Sequence, residues 1–232
     1  MVAQLVKLTS APDLADRVYR SLLDAICDGS LAPGQRITQE DLAAQLAVSR
    51  QPVLQALRLL KNDGFVHDAP GRGVLVAPLD AALVAQVYEV RGALDALAAR
   101  LAAARHHELA PALITQGRKA ARGGDVKAMI DADLAFHHAI YQASGNPLIA
   151  QIAGQHWRHL RRVMGAVLQS APQRGAVWDE HQAIAEAIRN GQAEHAATLV
   201  AQHGQHASHD LAQRLAHVLN TAPERLTAGD RP

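Results

Sequence analysis

Six helical periods fill the chain from Leu79 onward, and they constrain the fold more than any other feature of the sequence. Turn-forming residues separate the periods, at Gly123-Gly124, Gly145-Asn146-Pro147, Ala171-Pro172 and Asn190-Gly191. The predicted helices cover residues 80–106, 111–122, 125–144, 147–169, 173–190 and 192–219. Because no segment among them alternates as a strand does, the apolar helix faces have only one another to pack against. We therefore expect an all-α helical bundle.

The composition agrees with packed helices. Of the 232 residues, 49% are hydrophobic but only 3% are aromatic, so the core is expected to be aliphatic. No apolar run approaches the ~18 residues of a membrane span, and the N-terminus lacks the basic-then-apolar pattern of a signal peptide. The single cysteine, Cys27, cannot form an internal disulfide. These features predict a cytoplasmic protein with no membrane partner.

Residues 1–78 have a different organisation. Three helical periods, PDLADRVYRSLLDAICDG, TQEDLAAQLAV and RQPVLQALRLLKND, precede GFVHDAPGRGVLVAP, which predicts two short strands around a Pro-Gly turn. LAPGQRI is interpreted as a turn, Thr38 with Asp41 as a capping-box start, and Ser49 as the cap of the third helix. This order is the plan of a winged helix-turn-helix. The expected fold class is mainly α, with a winged helix-turn-helix over residues 1–78, an all-α bundle over 79–222 and a tail over 223–232.

The third helix is predicted to have one buried face and one face toward DNA. Its apolar stripe consists of Val53, Ala56, Leu57 and Leu60. Arginine suits guanine and glutamine suits adenine in the major groove, and an arginine between two glycines in the wing suits the DNA backbone or the minor groove. The residues predicted to contact double-stranded DNA are Arg36, Arg50, Gln51, Leu54, Gln55, Arg58 and Arg72.

The charge of this domain leaves a second interpretation open. Residues 1–78 contain eight basic and eight acidic side chains, whereas a DNA-binding domain usually has a basic excess. The basic residues cluster on the third helix and the wing, and half of the acidic ones lie on the first helical segment. Because position matters more than the sum, DNA binding is favoured over a winged helix that binds protein.

The stretch LAPGQRITQEDLAAQLAVSRQPVLQALRLLKNDGFVHDAPGRGVLVAP resembles the DNA-binding domain of GntR-type bacterial transcription regulators. The shared pattern runs from PG through LA and VSR-x-PV to a GRG wing. Three positions differ: Gln39 stands where the family usually has glutamate, Ala47 where it has glycine, and Leu54 where it has an arginine that faces DNA. Leu54 either meets a thymine methyl group or is a solvent-exposed leucine, so the operator sequence of relatives cannot be transferred.

Acidic and imidazole side chains recur at spaced positions in the helical region. Asp133 and His137 lie four residues apart, which puts them on one helix face, and His181 and His203 lie on two later helices. One carboxylate and three imidazoles would suit Zn²⁺, Ni²⁺, Mn²⁺ or Fe²⁺, with positions left open for ligand oxygens. Spacing alone leaves the alternative that these are ordinary surface or hydrogen-bonded residues.

The helical region also resembles the FCD effector domain of the FadR-type branch of the same family. That domain has D-x-x-x-H on one helix, SGNP after it, EH at the start of a later helix and a histidine in the last helix, as this chain has. The resemblance implies that the four residues named above bind a divalent metal, and that a small carboxylate effector binds against it. His138, His206 and His209 fall outside the pattern and are expected at the surface or, less favoured, behind the ligands.

Two further residues are candidates for binding the effector itself. YEVRGALDALAARLAA matches the first helix of the FCD domain, and an arginine pointing into the bundle there, Arg91, would bind a carboxylate with two hydrogen bonds. The alternative is an ion pair between Arg91 and Asp95, four residues along the helix. Asn146 would either bind the ligand or cap the helix that starts at Pro147.

These features predict a transcription regulator that responds to an effector. One winged helix reads only a few base pairs, so a homodimer on a palindromic operator is expected. The same Asp/His site leaves two alternatives, a metal-dependent enzyme and a pure metal sensor. The sequence lacks H-E-x-x-H, G-x-S-x-G and a phosphate loop, and an enzyme has no use for a winged helix, so we expect no enzymatic activity.

Overall fold

The computed structural model describes residues 14–168 and 175–221. The chain forms two compact units and passes from one to the other between Pro78 and Leu79. Both units contain buried apolar side chains of their own. The predicted tail at 223–232 and the predicted break at Ala171-Pro172 lie outside the described residues.

The first unit is a winged helix-turn-helix, as predicted. Its elements in chain order are α1 (Leu14–Cys27), β1 (Arg36–Ile37), α2 (Gln39–Gln45), α3 (Arg50–Asn62), β2 (Val66–Asp68) and β3 (Val74–Val76). The strands form one antiparallel sheet in the order β1-β3-β2. The predicted apolar stripe of α3 is confirmed, because the helix buries Val53, Ala56, Leu57 and Leu60.

Two features of this unit differ from the sequence prediction. The segment LAPGQRI is not only a turn, because β1 begins at Arg36, which pairs with Leu75 of β3. A strand of two residues is too short to show any alternation in the sequence. Ser49 occupies the N-cap of α3, but its side chain makes no capping hydrogen bond within the described structure. Thr38, by contrast, caps α2 as predicted by accepting from the amide of Asp41.

The second unit is an all-helical bundle, as predicted. Its helices are α4 (Ala81–Ala104), α5 (Ala112–Gly123), α6 (Val126–Ala143), α7 (Pro147–Val167), α8 (Gly175–Arg189) and α9 (Ala193–Thr221). The two longest, α4 and α9, pack along one another. The core is mostly aliphatic, with Phe136, Trp157 and Trp178 among its few aromatic members. Among the described helices, none combines the length and apolar character that a membrane span needs.

Helix α5 packs closely against α8 at Gly117. A Cβ atom built at Gly117 would lie 2.0 Å from the ring of Trp178, a distance that no side chain can occupy. Trp178 in turn lies edge-on to His181, with ring centroids 4.6 Å apart. The missing side chain at Gly117 therefore sets where this aromatic ring lies beside the histidine.

Candidate metal centre and DNA-binding surface

Four side chains from three helices meet in the interior of the second unit. Helix α6 contributes Asp133 and His137 from one face, α8 contributes His181 and α9 contributes His203. Each offers one ligand atom, and these four atoms all lie within 4.8 Å of one another. The three histidines are buried and Asp133 is partly exposed. The fold thus brings together all four residues that the FCD resemblance singles out.

The closest approaches in this cluster are those expected of atoms that share one cation. Nε2 of His181 lies 3.3 Å from Nε2 of His203 and 3.4 Å from Oδ1 of Asp133. Two ligand atoms bound at about 2.1 Å from one ion lie about 3–4 Å apart, depending on the angle between them. A set of three imidazole nitrogens and one carboxylate oxygen is of the type that binds zinc or another divalent transition metal.

Glu180 holds His203 from outside the cluster. Its Oε2 accepts a hydrogen bond of 2.8 Å from Nδ1 of His203, and its Oε1 lies 2.9 Å from Nδ1 of His206. The hydrogen bond from His203 is the main cause that lowers the pKa of Glu180 to about 2. A neutral His203 with its proton on Nδ1 would present the Nε2 lone pair to the other candidate ligands. Sequence reasoning did not select Glu180, although the EH pair was the signal that could have identified it.

Burial keeps His137 in the neutral form that a metal requires. Desolvation is the main cause that lowers the pKa of His137 well below the usual histidine value, and the positive charge of Arg91 adds to it. Nε2 of His137 lies 3.2 Å from Nη2 of Arg91, whereas its buried Nδ1 makes no hydrogen bond to the described residues. A neutral imidazole can bind a metal without first losing a proton.

Arg91 is a buried cation beside the cluster. Its Nε lies 3.0 Å from Oδ2 of Asp95, so the ion pair that the sequence left as an alternative is present. Burial alone would lower the pKa of Arg91, but the carboxylate of Asp95 and other nearby groups outweigh it, and the pKa is raised. The guanidinium also lies 4.0 Å from the ring centroid of Trp157. Arg91 therefore stays charged in the interior of the bundle.

A hydrogen-bond chain fixes the carboxylate that pairs with Arg91. The hydroxyl of Tyr141 donates to Oδ1 of Asp95 at 2.6 Å, and Nε1 of Trp157 donates to that hydroxyl at 3.1 Å. The chain links α4, α6 and α7, three of the helices around the cluster. Since both oxygens of Asp95 have partners, its orientation and that of Arg91 are set before any ligand binds.

Both tryptophans of the chain lie beside candidate ligands. The ring centroid of Trp157 is 5.2 Å from that of His137, and that of Trp178 is 4.6 Å from that of His181. Phe136 stacks on His181 with centroids 4.2 Å apart. These rings keep water away from the imidazoles, which strengthens electrostatic interactions at the site. They also make tryptophan fluorescence a natural reporter of what binds there.

Asn146 lies at the N-cap of α7, where its Oδ1 accepts a hydrogen bond of 3.1 Å from the amide of Leu148. This is the capping role that the sequence left as the alternative to effector binding. The histidines outside the family pattern, His138, His206 and His209, are all exposed. None of the three belongs to the four-residue cluster.

In the first unit, α3 and the wing enclose a groove of about 600 Å³. The predicted DNA-contacting residues that line this groove are Arg50, Leu54, Arg58 and Arg72. Gln51 and Gln55 are exposed on α3. Arg36 is placed differently, because its guanidinium donates to backbone carbonyls of the wing.

Acidic residues that were not predicted from the sequence also line this groove. Glu40 lies 3.4 Å from the guanidinium of Arg50, and Asp68 forms an ion pair with Lys61. These pairs are exposed, so they contribute little stability. They neutralise part of the basic surface, which agrees with the balanced charge of residues 1–78.

A winged helix-turn-helix joined to a helical bundle with a buried Asp/His cluster has the organisation of a DNA-binding transcription regulator. Residues 14–76 match the family model described as bacterial regulatory proteins, gntR family, and residues 86–206 match the FCD domain. The chain therefore belongs to the GntR family of transcription regulators, with an FCD domain as its helical unit.

Curated relatives are of the same kind. An HTH-type transcriptional regulator in an unstable DNA locus of Streptomyces ambofaciens is 31% identical over 205 residues, covering 86% of this chain and 86% of the relative. A probable D-xylose utilization operon transcriptional repressor of Paenarthrobacter nicotinovorans is 26% identical over 191 residues, covering 80% and 84%. Both descriptions name transcription regulators, not enzymes.

The fold is shared with solved structures. McbR/YncC of Escherichia coli matches with a TM-score of 0.73 at 24% identity, over 89% of this chain and 99% of that one. A putative GntR regulator of Rhodococcus sp. RHA1 matches with a TM-score of 0.67, also at 24% identity, over 90% and 99%. At this identity the likeness shows a common fold.

Proposed function

We propose that this regulator changes its affinity for an operator when a small carboxylate binds beside a divalent metal in the helical unit. Asp133, His137, His181 and His203 would hold the ion, which is Zn²⁺, Ni²⁺, Mn²⁺ or Fe²⁺. The observation that carries the proposal is the convergence of their ligand atoms within 4.8 Å. The ion would supply coordination positions that four protein ligands leave open, and an effector oxygen would occupy them.

The protonation of the cluster supports a metal as its occupant. Nδ1 of His203 donates to Glu180, so its Nε2 is a bare acceptor that faces Nε2 of His181 at 3.3 Å. Two imidazole nitrogens at that distance must share either a proton or a cation. A divalent ion would accept these lone pairs together with one from His137, whose depressed pKa keeps its ring neutral.

The position of Arg91 supports the proposal that the effector is an anion. A buried guanidinium recognises a carboxylate through two parallel hydrogen bonds. Its Nε side is occupied by Asp95, and its Nη2 lies at the cluster, 3.2 Å from His137. An effector carboxylate would bind Arg91 and the metal from one side. Effector contact through the side-chain amide nitrogen of Asn146, which takes no part in the helix cap, stays a prediction.

The proposed DNA-bound form is a homodimer on a palindromic operator. Two winged helices related by a two-fold axis would read two half-sites. The effector would alter the relative placement of the two winged helices, which requires that it bind one arrangement more tightly than the other.

Two other functions use the same residues. In a metal-dependent enzyme the open coordination positions would bind a substrate, and in a metal sensor the ion itself would be the signal. The winged helix disfavours the first alternative. The buried charge of Arg91 at the cluster disfavours the second alternative. In a pure metal sensor the signal is itself a cation, and a second cation beside it has no use.

The experiment is a binding titration with full-length protein. The probe is a duplex that the wild-type chain selects from a random-sequence pool, and the readout is fluorescence anisotropy. Affinity is measured in chelator, then with Mn²⁺, Ni²⁺ or Zn²⁺, and then with acetate, lactate, succinate or citrate added. We expect an organic acid to shift affinity only when metal is present. A shift with metal alone and none with any acid would support the metal sensor and contradict the proposal.

A further inference from the structure

Arg36 is the one predicted DNA-contacting residue that lies against the wing backbone instead of on α3 or at the wing tip. We infer that it is a positioning residue, which acts on DNA through Arg72 by clamping the wing turn. This inference rests on the DNA-binding function of the first unit and is independent of the metal-site proposal.

Three hydrogen bonds form the clamp. Nε and Nη2 of Arg36 donate to the carbonyl oxygen of Arg72 at 2.9 and 2.5 Å, and Nη2 also donates to the carbonyl oxygen of Pro70 at 2.6 Å. The two acceptors flank Gly71, so a single guanidinium bridges the tip of the turn. The backbone of Arg36 is itself anchored in β1, where it pairs with Leu75 of β3.

The wing turn is a segment that needs such a clamp. Gly71 and Gly73 have φ of +86° and +88°, a region that other residues rarely adopt. A Cβ at Gly73 would lie 2.4 Å from the carbonyl oxygen of Ile37, so the wing also approaches β1 too closely for a side chain. Glycine has high backbone freedom when nothing holds it. Charge-assisted donors from Arg36 fix the turn in one conformation.

The clamp determines what Arg72 can reach. Arg72 lines the groove beside α3, and its carbonyl oxygen accepts hydrogen bonds from the guanidinium of Arg36. Arg36, which does not line the groove, therefore orients Arg72, which does. A phosphate contact by Arg36 would have to compete with the carbonyl oxygens that its Nε and Nη2 already bind.

The test uses Arg36→Lys and Arg36→Met in full-length protein, with a duplex selected from a random-sequence pool by the wild-type chain. Lysine keeps the charge, but its single ammonium cannot reproduce the forked contact with two carbonyls. We expect both variants to bind the duplex about tenfold more weakly and to release about one ion fewer on binding, which is also the loss expected of Arg72→Ala. In an Arg72→Ala background neither substitution should cause a further loss.

A second readout does not involve DNA. Trypsin cleaves after Arg72, and release of the clamp should speed that cleavage in Arg36→Met, as followed by the mass of the fragment that begins at Gly73. Arg122→Met, at an exposed arginine of α5, serves as the charge-loss control and should match the wild type in both assays.

Three outcomes would overturn the inference. The first is that Arg36→Lys binds DNA as wild type does, because that would indicate a direct contact through charge alone. The second is that Arg36→Met loses as much affinity in the Arg72→Ala background as in the wild type. The third is an unchanged rate of cleavage after Arg72.

Discussion

The carboxylate of Glu180 lies 2.8 Å from Nδ1 of His203, so a side chain outside the cluster determines which imidazole nitrogen faces the other candidate ligands. Partners of this kind orient metal-binding histidines and raise their basicity. The second oxygen of Glu180 contacts the exposed His206. The effect of the carboxylate on His203 can therefore be separated from its contact with His206.

Replacing Glu180 with alanine is expected to weaken metal binding by about 10- to 100-fold. His203 would lose the acceptor of its Nδ1 proton. Its ring would then be free to rotate, and its proton could move to Nε2. The measurement is competition between the full-length chain and a zinc-binding dye. His206→Ala removes only the outer contact and should leave the affinity unchanged. Equal affinities of Glu180→Ala and wild type would show that Glu180 does not position His203.

Gly117→Ala is expected to destabilise the helical unit by about 1–3 kcal/mol, because the new methyl group overlaps the ring of Trp178. Urea unfolding followed by tryptophan fluorescence measures the change. Gly123→Ala is the matched control in α5, where a Cβ meets no atom within 4 Å. If both variants unfold at the same urea concentration, α5 and α8 are not packed as described.

Ala47→Gly is expected to stabilise the winged helix, because Ala47 has a φ of +51°. A left-handed conformation costs alanine about 1–2 kcal/mol, which glycine avoids. Glycine also makes the unfolded chain more flexible, which lowers stability by about 0.4–1 kcal/mol, so we expect a net stabilisation of about 0.5–1 kcal/mol. Hydrogen exchange of the α2 and α3 amides in the full-length chain measures it. Ala44→Gly, inside α2, should have the opposite sign. Faster exchange in Ala47→Gly would contradict the strained conformation.

The metal-free protein is expected to lose stability as the pH falls below about 6.5. Burial, together with the charge of Arg91, holds the pKa of folded His137 well below that of an unfolded histidine. In this range the unfolded chain binds a proton that the folded chain does not. The free energy of unfolding therefore decreases as the pH falls, by up to about 1.4 kcal/mol per pH unit. Thermal unfolding in chelator at several pH values measures this dependence.

Two variants isolate the contribution of His137. His137→Gln removes the buried titrating ring and should flatten the profile, whereas His138→Gln changes an exposed neighbour and should not. A wild-type melting temperature that stays constant as the pH is lowered from about 8 to about 5 would contradict the depressed pKa.

The helices were predictable from the sequence because each presents a long apolar period. In the second unit, α4 to α7 begin and end within two residues of the predicted bounds, and so do the end of α8 and the start of α9. The two-residue strand β1 was not predictable, since its pairing with β3 depends on where the wing folds back. Ser49 occupies the predicted N-cap position, but its side chain makes no capping hydrogen bond to the described residues, because local geometry decides whether the bond forms.

The four clustered residues were singled out by family resemblance, because spacing reveals only the pair on α6. Whether His181 and His203 reach that pair depends on how three helices pack. For Arg91, the sequence offered an ion pair and a ligand contact as alternatives. The structure places this one guanidinium against Asp95 and next to His137. The clamp at Arg36 was not predictable from the sequence, since it depends on contacts between distant segments, and the EH pair pointed to Glu180 without showing its contact with His203.

The most direct test of the central claim is equilibrium dialysis of the full-length chain against Mn²⁺, Ni²⁺ and Zn²⁺ in turn, with bound metal measured by mass spectrometry. We expect one ion per chain for the wild type and for His206→Ala. Asp133→Asn, which preserves the shape of a partly exposed side chain, should bind more weakly, and His181→Ala and His203→Ala should bind none. A wild-type chain that retains no ion, or equal retention in all these variants, would contradict a metal centre at this cluster.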